Sequence, residues 1–363
     1  MSPDLSAMEW AEPILPQVPD PAWEAEVKRR TGMFSETDRR VTPSGWVREA
    51  CAAVVAFRPS VMPQRLLNIG TMVIAQENSC RYCYGANRAF MRILGYSESF
   101  ISQIEQDAQV AELDPRDRGF IAFCRNLARS RPRPARAERE ALATLGFAPL
   151  AISEMALVIS MSCFYNRVST MIASPPEASI EQMASGFVGK LMNMVGPLMR
   201  GMMTKPRAPV LPPLEPAALA RGPFGAVLAP LAGLPGATAF RTALDGAFAS
   251  TVLSTATKAL MFAVVARTLD CHRSGAEARK LLVAEGFSDV EIDTALSTLH
   301  SARLTPQDSK LLSWVRGTVY YQPGPLQKET RALVAEIGND ATLEAIGIAA
   351  LANAVVRLAM LME

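Results

Sequence analysis

The amino-acid sequence predicts an all-α protein, and two observations support this class. Apolar residues recur at helical spacing along most of the 363-residue chain, as in 46-WVREACAAVVAF-57, 118-RGFIAFCRNLARS-130 and 150-LAISEMALVISMSCFYNRVSTMI-172. The strict alternation of apolar and polar residues that marks half-buried strands is nearly absent, as are two-residue hairpin turns. We therefore expect a chain built from helices and the loops between them.

Composition restricts the classes of function. Hydrophobic residues make up 49% of the chain and charged residues 20%, which is typical of a globular protein with ample core. A formal net charge of +2 gives no electrostatic basis for binding nucleic acid or an anionic membrane. The N-terminus lacks the features of a signal peptide, and Lys258 with several Ser and Thr interrupts the apolar stretch 247–265. We expect a cytoplasmic protein.

The two halves of the chain resemble each other. The segment 79-SCRYCYGANRAFMRILGYS-97 aligns with 270-DCHRSGAEARKLLVAEGFS-288, so that Cys80 matches Cys271 at an offset of 191 residues. At offsets of 191 or 190 the match continues to two later pairs, Glu154 with Glu344 and Arg167 with Arg357. This regularity predicts a tandem duplication of one helical domain.

The duplication and the proline clusters define the predicted domains. They are an N-terminal arm over 1–45, a first domain over 46–182, a Met-rich and Pro-rich connector over 183–215 and a second domain over 216–363. Trp10 and Trp23 in the arm suggest that it lies against the body. We interpret the methionines of 183–207 as packing material over an interface, or as a lid over an apolar ligand.

The aligned segments are predicted to form helices with matching ends. Ser79 and Asp270 are residue types that favour the N-cap position, and Gly95 and Gly286 stand where a helix-ending residue takes positive φ. These signals predict helices over 80–94 and 271–285.

Cys80 and Cys83 begin the first of these helices in a C-x-x-C arrangement. Free N–H groups and the helix dipole favour the thiolate there, and two thiols one turn apart can form a disulfide. In this register Tyr84, Asn87 and Met91 continue the same helix face. The pair can equally be two buried, inert side chains.

Metal binding has less support. A closed zinc site needs four ligands, whereas the only histidines, His272 and His300, lie in the second half. Cys51, Cys124 and Cys163 stand singly in apolar segments and are predicted to be core residues. We therefore expect neither a metal nor another cofactor.

These features resemble a known family. A helix that begins with C-x-x-C and ends at a glycine, followed by a helix bearing F-Y-N-R-V at 164–168, is similar to the AhpD-like / carboxymuconolactone decarboxylase superfamily, which includes alkylhydroperoxidases. The resemblance implies that Cys83 attacks a hydroperoxide and that Cys80 resolves the product. It also implies a histidine at position 87 and a carboxylate at position 68 for proton transfer.

Both proton-transfer positions depart from the family pattern. They hold Asn87 and Asn68, whose amides do not titrate near neutrality. Because general acid–base assistance is worth ~10²–10⁴-fold, a peroxidase of this kind should be slow. Glu77 could take over if it turns inward, although a solvated carboxylate is the simpler interpretation. Tyr82 and Tyr84 could supply hydroxyl groups.

The second half keeps less of the pattern, since Ser274 replaces the second cysteine, and we interpret it as structural. Asn166 and Arg167 are weak candidates for a substrate pocket. Because an arginine recurs at position 357, we favour a structural ion pair for Arg167, with Glu154 or Glu344 as the partner. The resemblance also implies assembly into homo-oligomers.

Three hypotheses remain open from the sequence. The first is an AhpD-like thiol enzyme that acts on a small hydroperoxide and is recycled by a thiol reductant protein. A second hypothesis keeps the fold but acts on a small organic acid, a lactone or a specialised metabolite, as the decarboxylase branch implies. The third is a non-catalytic ligand-binding or scaffold protein.

Overall fold

A computed structural model describes Leu5 and residues 9–105, 113–128, 132–177 and 211–362. Every regular element within these ranges is helical, which confirms the predicted all-α class. The methionine-rich segment 183–207 lies outside the described residues, so its interpretation stays a prediction.

The described part of the N-terminal half contains nine helices. They are α1 Pro21–Thr31, α2 Glu36–Val41, α3 Gly45–Ala56, α4 Gln64–Glu77, α5 Arg81–Ile93, α6 Glu98–Glu105, α7 Pro115–Ala128, α8 Arg136–Thr144 and α9 Pro149–Met171. The three segments that were predicted from helical periodicity correspond to α3, α7 and α9, with ends that agree within three residues.

The described part of the C-terminal half contains eight α-helices and one short 3₁₀ helix. They are α10 Pro216–Leu219, α11 Gly225–Leu228, the 3₁₀ helix Ala229–Leu231, α12 Pro235–Ala249, α13 Thr255–Thr268, α14 His272–Ala284, α15 Asp289–Thr298, α16 Pro306–Tyr320 and α17 Pro323–Met362. At Gly338 the backbone of α17 is non-helical, with φ 80° and ψ 173°, and this break divides the helix in two.

The predicted start of the cysteine helix is wrong by one residue. Ser79 takes a left-handed backbone conformation (φ 48°) and ends α4, because its N–H donates to Gln76 O and that of Cys80 donates to Ala75 O. Cys80 is therefore the N-cap of α5, and its sulfur accepts the N–H of Cys83.

The corresponding helix of the second half is shifted in the same way. Asp270 is left-handed (φ 56°), and Cys271 is the N-cap of α14. The predicted positive φ at both closing glycines is confirmed, with 76° at Gly95 and 83° at Gly286. The turn that ends the preceding helix thus decides which residue caps the next one.

One apolar core extends through both halves, from Leu15 to Leu361. The long helices α9 and α17 pack against each other at its centre, and α3 packs against α12. Both ends of α13 follow those of α4 by 191 residues, and α14 follows α5 in the same way. The duplication and the predicted domain boundaries nevertheless stay predictions.

One helix in the described part of the chain, Pro323–Met362, is long and apolar enough to cross a membrane. Its most apolar stretch is 94% buried inside the protein, where it packs against α9. A buried core helix has the same composition as a membrane span, so its length and hydropathy are weak evidence for a membrane location.

Candidate functional site

The two cysteines of the C-x-x-C lie side by side at the start of α5. Cys80 is 0% exposed and Cys83 is 4% exposed, and both are free thiols. The backbone N–H of Cys83 donates to Cys80 Sγ over 3.3 Å. This contact places the sulfur of Cys80 at the N-terminal end of the helix, where the exposed N–H groups favour negative charge.

Helix α9 covers the thiols with a row of polar side chains. Asn166 and Ser169 lie beside the thiol of Cys83 and act to lower its pKa, and the hydroxyl of Thr170 has the same effect on Cys80. The prediction that Asn166 faces a site is consistent with this geometry. Both thiols are thus buried in hydrogen-bonding surroundings rather than in a purely apolar core.

The C-terminal half also contributes to the site. The hydroxyl of Tyr321 lies 2.7 Å from Asn166 O and 2.6 Å from Thr170 Oγ1, and it is close enough to Cys80 to act to lower the pKa of this thiol. The guanidinium of Arg167 lies 4.6 Å from the centroid of the Tyr321 ring. Tyr321 of the second half thus belongs to the surroundings of the dithiol, and the interpretation of this half as structural stays a prediction.

The two thiols differ in acidity. Burial acts to raise the pKa of Cys80, but hydrogen bonds from the Cys83 thiol, the Thr170 hydroxyl and the Cys83 N–H outweigh it and lower this pKa below its usual 9.0. Burial, the hydrogen bond with Cys80 and the charge of Cys80 raise the pKa of Cys83 well above the usual value. The thiol of Cys80 should therefore lose its proton first.

Solvent exposure differs slightly between the two thiols and is greater for Cys83 than for Cys80. Cys83 keeps 4% of its surface, whereas Cys80 keeps none. Both values mean full burial, so this difference does not decide which thiol reacts. The hydrogen bonds to Cys80 distinguish the two sulfurs more clearly.

A pocket of about 290 Å³ lies next to the dithiol. Its lining includes Trp10, Ser79, Arg81, Tyr82, Thr170 and Gln327. The guanidinium of Arg81 lies 4.0 Å from the centroid of the Trp10 ring, so the N-terminal arm forms one wall, as its tryptophans predicted. Thr170 lines the pocket and also lies close enough to Cys80 to act to lower its pKa, so this side chain connects the pocket to the dithiol.

Tyr82 connects this pocket to a buried carboxylate. Its hydroxyl donates to Glu177 Oε1 over 2.6 Å, and Glu177 also accepts the backbone N–H of Glu36. Burial raises the pKa of Glu177, and these hydrogen bonds oppose the rise. A titratable group therefore lies one side chain away from the pocket, at a residue that was not predicted.

The two asparagines at the family's proton-transfer positions have other partners. The amide of Asn87 donates to the backbone carbonyl of Thr71 in α4, over 3.2 Å. Asn68 is buried and lies 3.5 Å from Gln64 Nε2 and 3.4 Å from the hydroxyl of Tyr96. The hydrogen bond of Asn87 therefore links α5 to α4, and that of Asn68 links α4 to the turn that follows α5.

Glu77 and Tyr84 have polar partners other than the thiols. Glu77 forms an ion pair with Arg125 of α7 at 3.2 Å, so it is neither solvated nor directed at the cysteines. The hydroxyl of Tyr84 donates to Glu105 Oε1 over 2.6 Å. The prediction that Glu77 replaces the missing proton carrier is not supported by this geometry.

The predicted ion pair of Arg167 is wrong. Its guanidinium donates to the backbone carbonyls of Thr318 and Cys163, each over 3.3 Å. Glu154 instead accepts from the loop before α4, and Glu344 accepts the indole N–H of Trp46 over 2.7 Å. Backbone carbonyls accept from Nε and Nη1 where a carboxylate was expected, and within the described residues Nη2 has no hydrogen-bond partner.

Other places in the described structure offer less chemistry. A pocket of about 460 Å³ lies between α1, α3 and α12, but Arg29 and Arg30 on its rim are paired with Glu26 and Glu49. Within the described residues, no group of three or more His, Cys, Asp or Glu side chains converges to hold a metal ion.

The fold and the site together define an all-α protein with a buried dithiol at a helix N-terminus, next to a small polar pocket. No family model, curated protein or solved structure matches the chain. The resemblance to the AhpD-like superfamily therefore stays a prediction.

Sequence reasoning missed four side chains of the site. Ser169 and Thr170 lie about one helical turn beyond Asn166, so helical spacing from that candidate could have indicated them. Glu177 and Tyr321 follow the ends of α9 and α16, and their directions depend on how the chain turns there. We find no sequence signal that would have placed either of them.

Proposed function

We propose that the protein is a thiol–disulfide redox enzyme of the AhpD-like kind, which reduces a small hydroperoxide through Cys80 and Cys83. The observation that supports this function best is the hydrogen bond that the Cys80 sulfur accepts from the Cys83 N–H, with the hydroxyls of Thr170 and Tyr321 close by. Such bonds favour the thiolate, which is the nucleophilic form of cysteine.

In the proposed reaction the Cys80 thiolate attacks the terminal oxygen of the hydroperoxide. An S–O bond forms, the O–O bond breaks, and the leaving alkoxide takes up one proton to become an alcohol. The sulfur is oxidised to a sulfenic acid and the hydroperoxide is reduced. The thiol of Cys83 then attacks this sulfur, an S–S bond forms, and water leaves with the proton from Cys83.

The geometry also suggests how Cys83 becomes reactive at the right moment. Part of the rise in its pKa comes from the hydrogen bond and the charge of Cys80. Oxidation of Cys80 to a neutral sulfenic acid removes that charge, which lowers the pKa of Cys83. This order of attack reverses the order that the family resemblance implies.

The cycle needs an external dithiol, which is oxidised to a disulfide as the enzyme returns to two thiols. A thiol reductant protein is the proposed partner, and homo-oligomeric assembly remains a prediction. The pocket of about 290 Å³ suits a small hydroperoxide rather than a long lipid chain. Because both amides at the family's relay positions bind elsewhere, we expect slow turnover.

Burial of both thiols supports a second candidate function. In this alternative the fold acts on a small organic acid or lactone without redox chemistry, or it binds a ligand without catalysis. Its distinguishing property is that function survives the joint replacement Cys80→Ser with Cys83→Ser.

Peroxide treatment of the reduced protein tests the proposed function. We expect the wild-type chain to lose two thiols and to give a Cys80–Cys83 disulfide in peptide mass spectrometry. Cys83→Ser should accumulate a sulfenic acid at Cys80 that dimedone traps, whereas Cys80→Ser should react slowly. Cys271→Ser is the matched control, since Cys271 is buried at the corresponding helix start and should not alter the outcome.

The single variants also decide the order of attack. A dimedone adduct on Cys83 in the Cys80→Ser variant would restore the order that the resemblance implies. If no disulfide forms between the two cysteines in the wild-type chain, the redox function is refuted.

A further inference from the structure

We propose that Tyr321 is a positioning residue of the dithiol site, supplied by the C-terminal half, whose hydroxyl acts together with Thr170 to hold the sulfur of Cys80 ready for reaction. This inference deepens the proposed redox function and rests on it. It makes the site a composite of both halves of the chain.

The first argument is the arrangement of the hydroxyl groups. The oxygen of Tyr321 lies 2.6 Å from Thr170 Oγ1 and 2.7 Å from Asn166 O, and its one proton can be donated to either. When Tyr321 donates to Thr170, the Thr170 proton is directed to Cys80, to which both hydroxyls lie within hydrogen-bonding reach. Such a chain of hydrogen bonds strengthens each of its members.

The second argument is that Tyr321 stays protonated. Burial and the neighbouring Cys80 raise the pKa of Tyr321 well above its usual value, while the cation of Arg167 opposes this rise. The phenol therefore keeps its proton at neutral pH and can donate it to Thr170, whose own proton is then free to face the thiolate. Arg167 lies over the ring and fixes its plane.

The third argument is the backbone at the site. Tyr321 ends α16 in a left-handed conformation with φ 53°. Only six described residues other than glycine have positive φ, and Ser79, Ala173 and Tyr321 are three of them. Ser79 and Ala173 line the pocket beside the dithiol. All three residues follow the end of a helix, so the turns that end α4, α9 and α16 lie together beside the dithiol.

The test is the pH dependence of alkylation at Cys80, resolved by peptide mass spectrometry, in Tyr321→Phe. Loss of the phenol proton should raise the pH at which Cys80 titrates by about one to two units, because Thr170 then loses the donor that directs its own proton to the charged sulfur. At pH 7 the alkylation rate should fall by roughly tenfold or more. Tyr320→Phe is the matched control, because Tyr320 is 48% exposed and precedes it in the chain.

Thr170→Val provides a second variant, and it should shift the titration of Cys80 in the same direction. The double variant should shift it by less than the sum of the two single shifts, since both hydroxyls act through one hydrogen-bonded chain. A Tyr321→Phe protein that is folded but titrates like the wild type overturns the proposal, even if its melting temperature falls. If Tyr321→Phe does not fold, an unchanged titration in Thr170→Val overturns it instead.

This measurement separates the inference from the proposed function. Alkylation reports the acidity of Cys80 without any peroxide. Suppose that Tyr321→Phe shifts the titration of Cys80 but that the wild-type protein never forms the disulfide with peroxide. This pair of results would refute the redox function and leave the positioning role of Tyr321 intact.

Discussion

Arg167 and Arg357 occupy corresponding places in the two central helices, and each guanidinium reaches a backbone carbonyl in the other half of the chain. Arg167 Nε donates to Thr318 O over 3.3 Å, and Arg357 Nε donates to Leu127 O over 3.0 Å. Both side chains are fully buried. The two contacts cross between the halves and join α9 to α16 and α17 to α7.

We predict that Arg167→Met and Arg357→Met each lower the free energy of unfolding by about 1–3 kcal/mol, because each leaves buried carbonyls without a donor. Urea denaturation measures this loss. Arg167→Met should also slow alkylation of Cys80 at neutral pH, since Arg167 lies over Tyr321. Arg357→Met is the matched control for this second effect, which it should not show.

Equal effects of the two variants on alkylation would contradict the connection between Arg167 and the dithiol. Should either methionine variant fail to fold, the lysine substitutions keep the charge and allow the same comparison, with a smaller loss expected for both. Lysine cannot reproduce the planar stacking on Tyr321, so Arg167→Lys should still affect Cys80.

Glu154 holds the loop that precedes α4. Its fully buried carboxylate accepts four hydrogen bonds, from the hydroxyl and N–H of Ser60, the N–H of Val61 and the N–H of Met62. Glu154→Gln turns an amide NH₂ towards some of these donors and removes the charge. We predict a loss of about 2–4 kcal/mol in the free energy of unfolding, measured by urea denaturation.

Glu140→Gln is the matched control, because the side chain of Glu140 is 71% exposed and pairs only with Arg136 of the same helix among the described contacts. Its effect should stay within about 0.5 kcal/mol. A loss in Glu154→Gln no larger than that in Glu140→Gln would mean that the loop does not depend on the carboxylate.

The pH dependence of stability should reveal Glu177. Burial raises its pKa above the usual 4.5, so between 4.5 and the raised value the folded protein binds this proton more tightly than the unfolded chain. This contribution to stability is complete below pH 4.5 and is lost as the pH rises through the raised pKa. Glu177→Gln cannot titrate and should lack this loss.

The measurement is the free energy of unfolding of the wild type and of Glu177→Gln from pH 4 to pH 7. At each pH the value for the variant is subtracted from that for the wild type, so that the contributions of other titrating groups cancel. The stability of the wild type relative to Glu177→Gln should decrease as the pH rises. A difference that is constant, or that grows with pH, would show that the hydrogen bonds from Tyr82 and Glu36 outweigh burial at this carboxyl.

The helical class, the main helices and the burial of the single cysteines Cys51, Cys124 and Cys163 could be predicted from the sequence because they depend on local patterns. Apolar spacing predicted α3, α7 and α9, and Gly95 and Gly286 were correctly placed at left-handed helix ends. The N-cap was placed at Ser79 rather than Cys80 because capping preferences alone do not include the turn that ends α4.

The partners of the dithiol were decided by the tertiary structure alone. Cys80 and Tyr321 come from opposite halves of the chain, and their contact exists because α9 packs against α17 and brings the end of α16 to the thiols. The sequence shows that an amide, Asn87, stands where the family resemblance implies a histidine. Only the packing of α5 on α4 directs this amide to the carbonyl of Thr71. The sequence by itself determined where the two cysteines begin a helix, and long-range packing decided which side chains surround them.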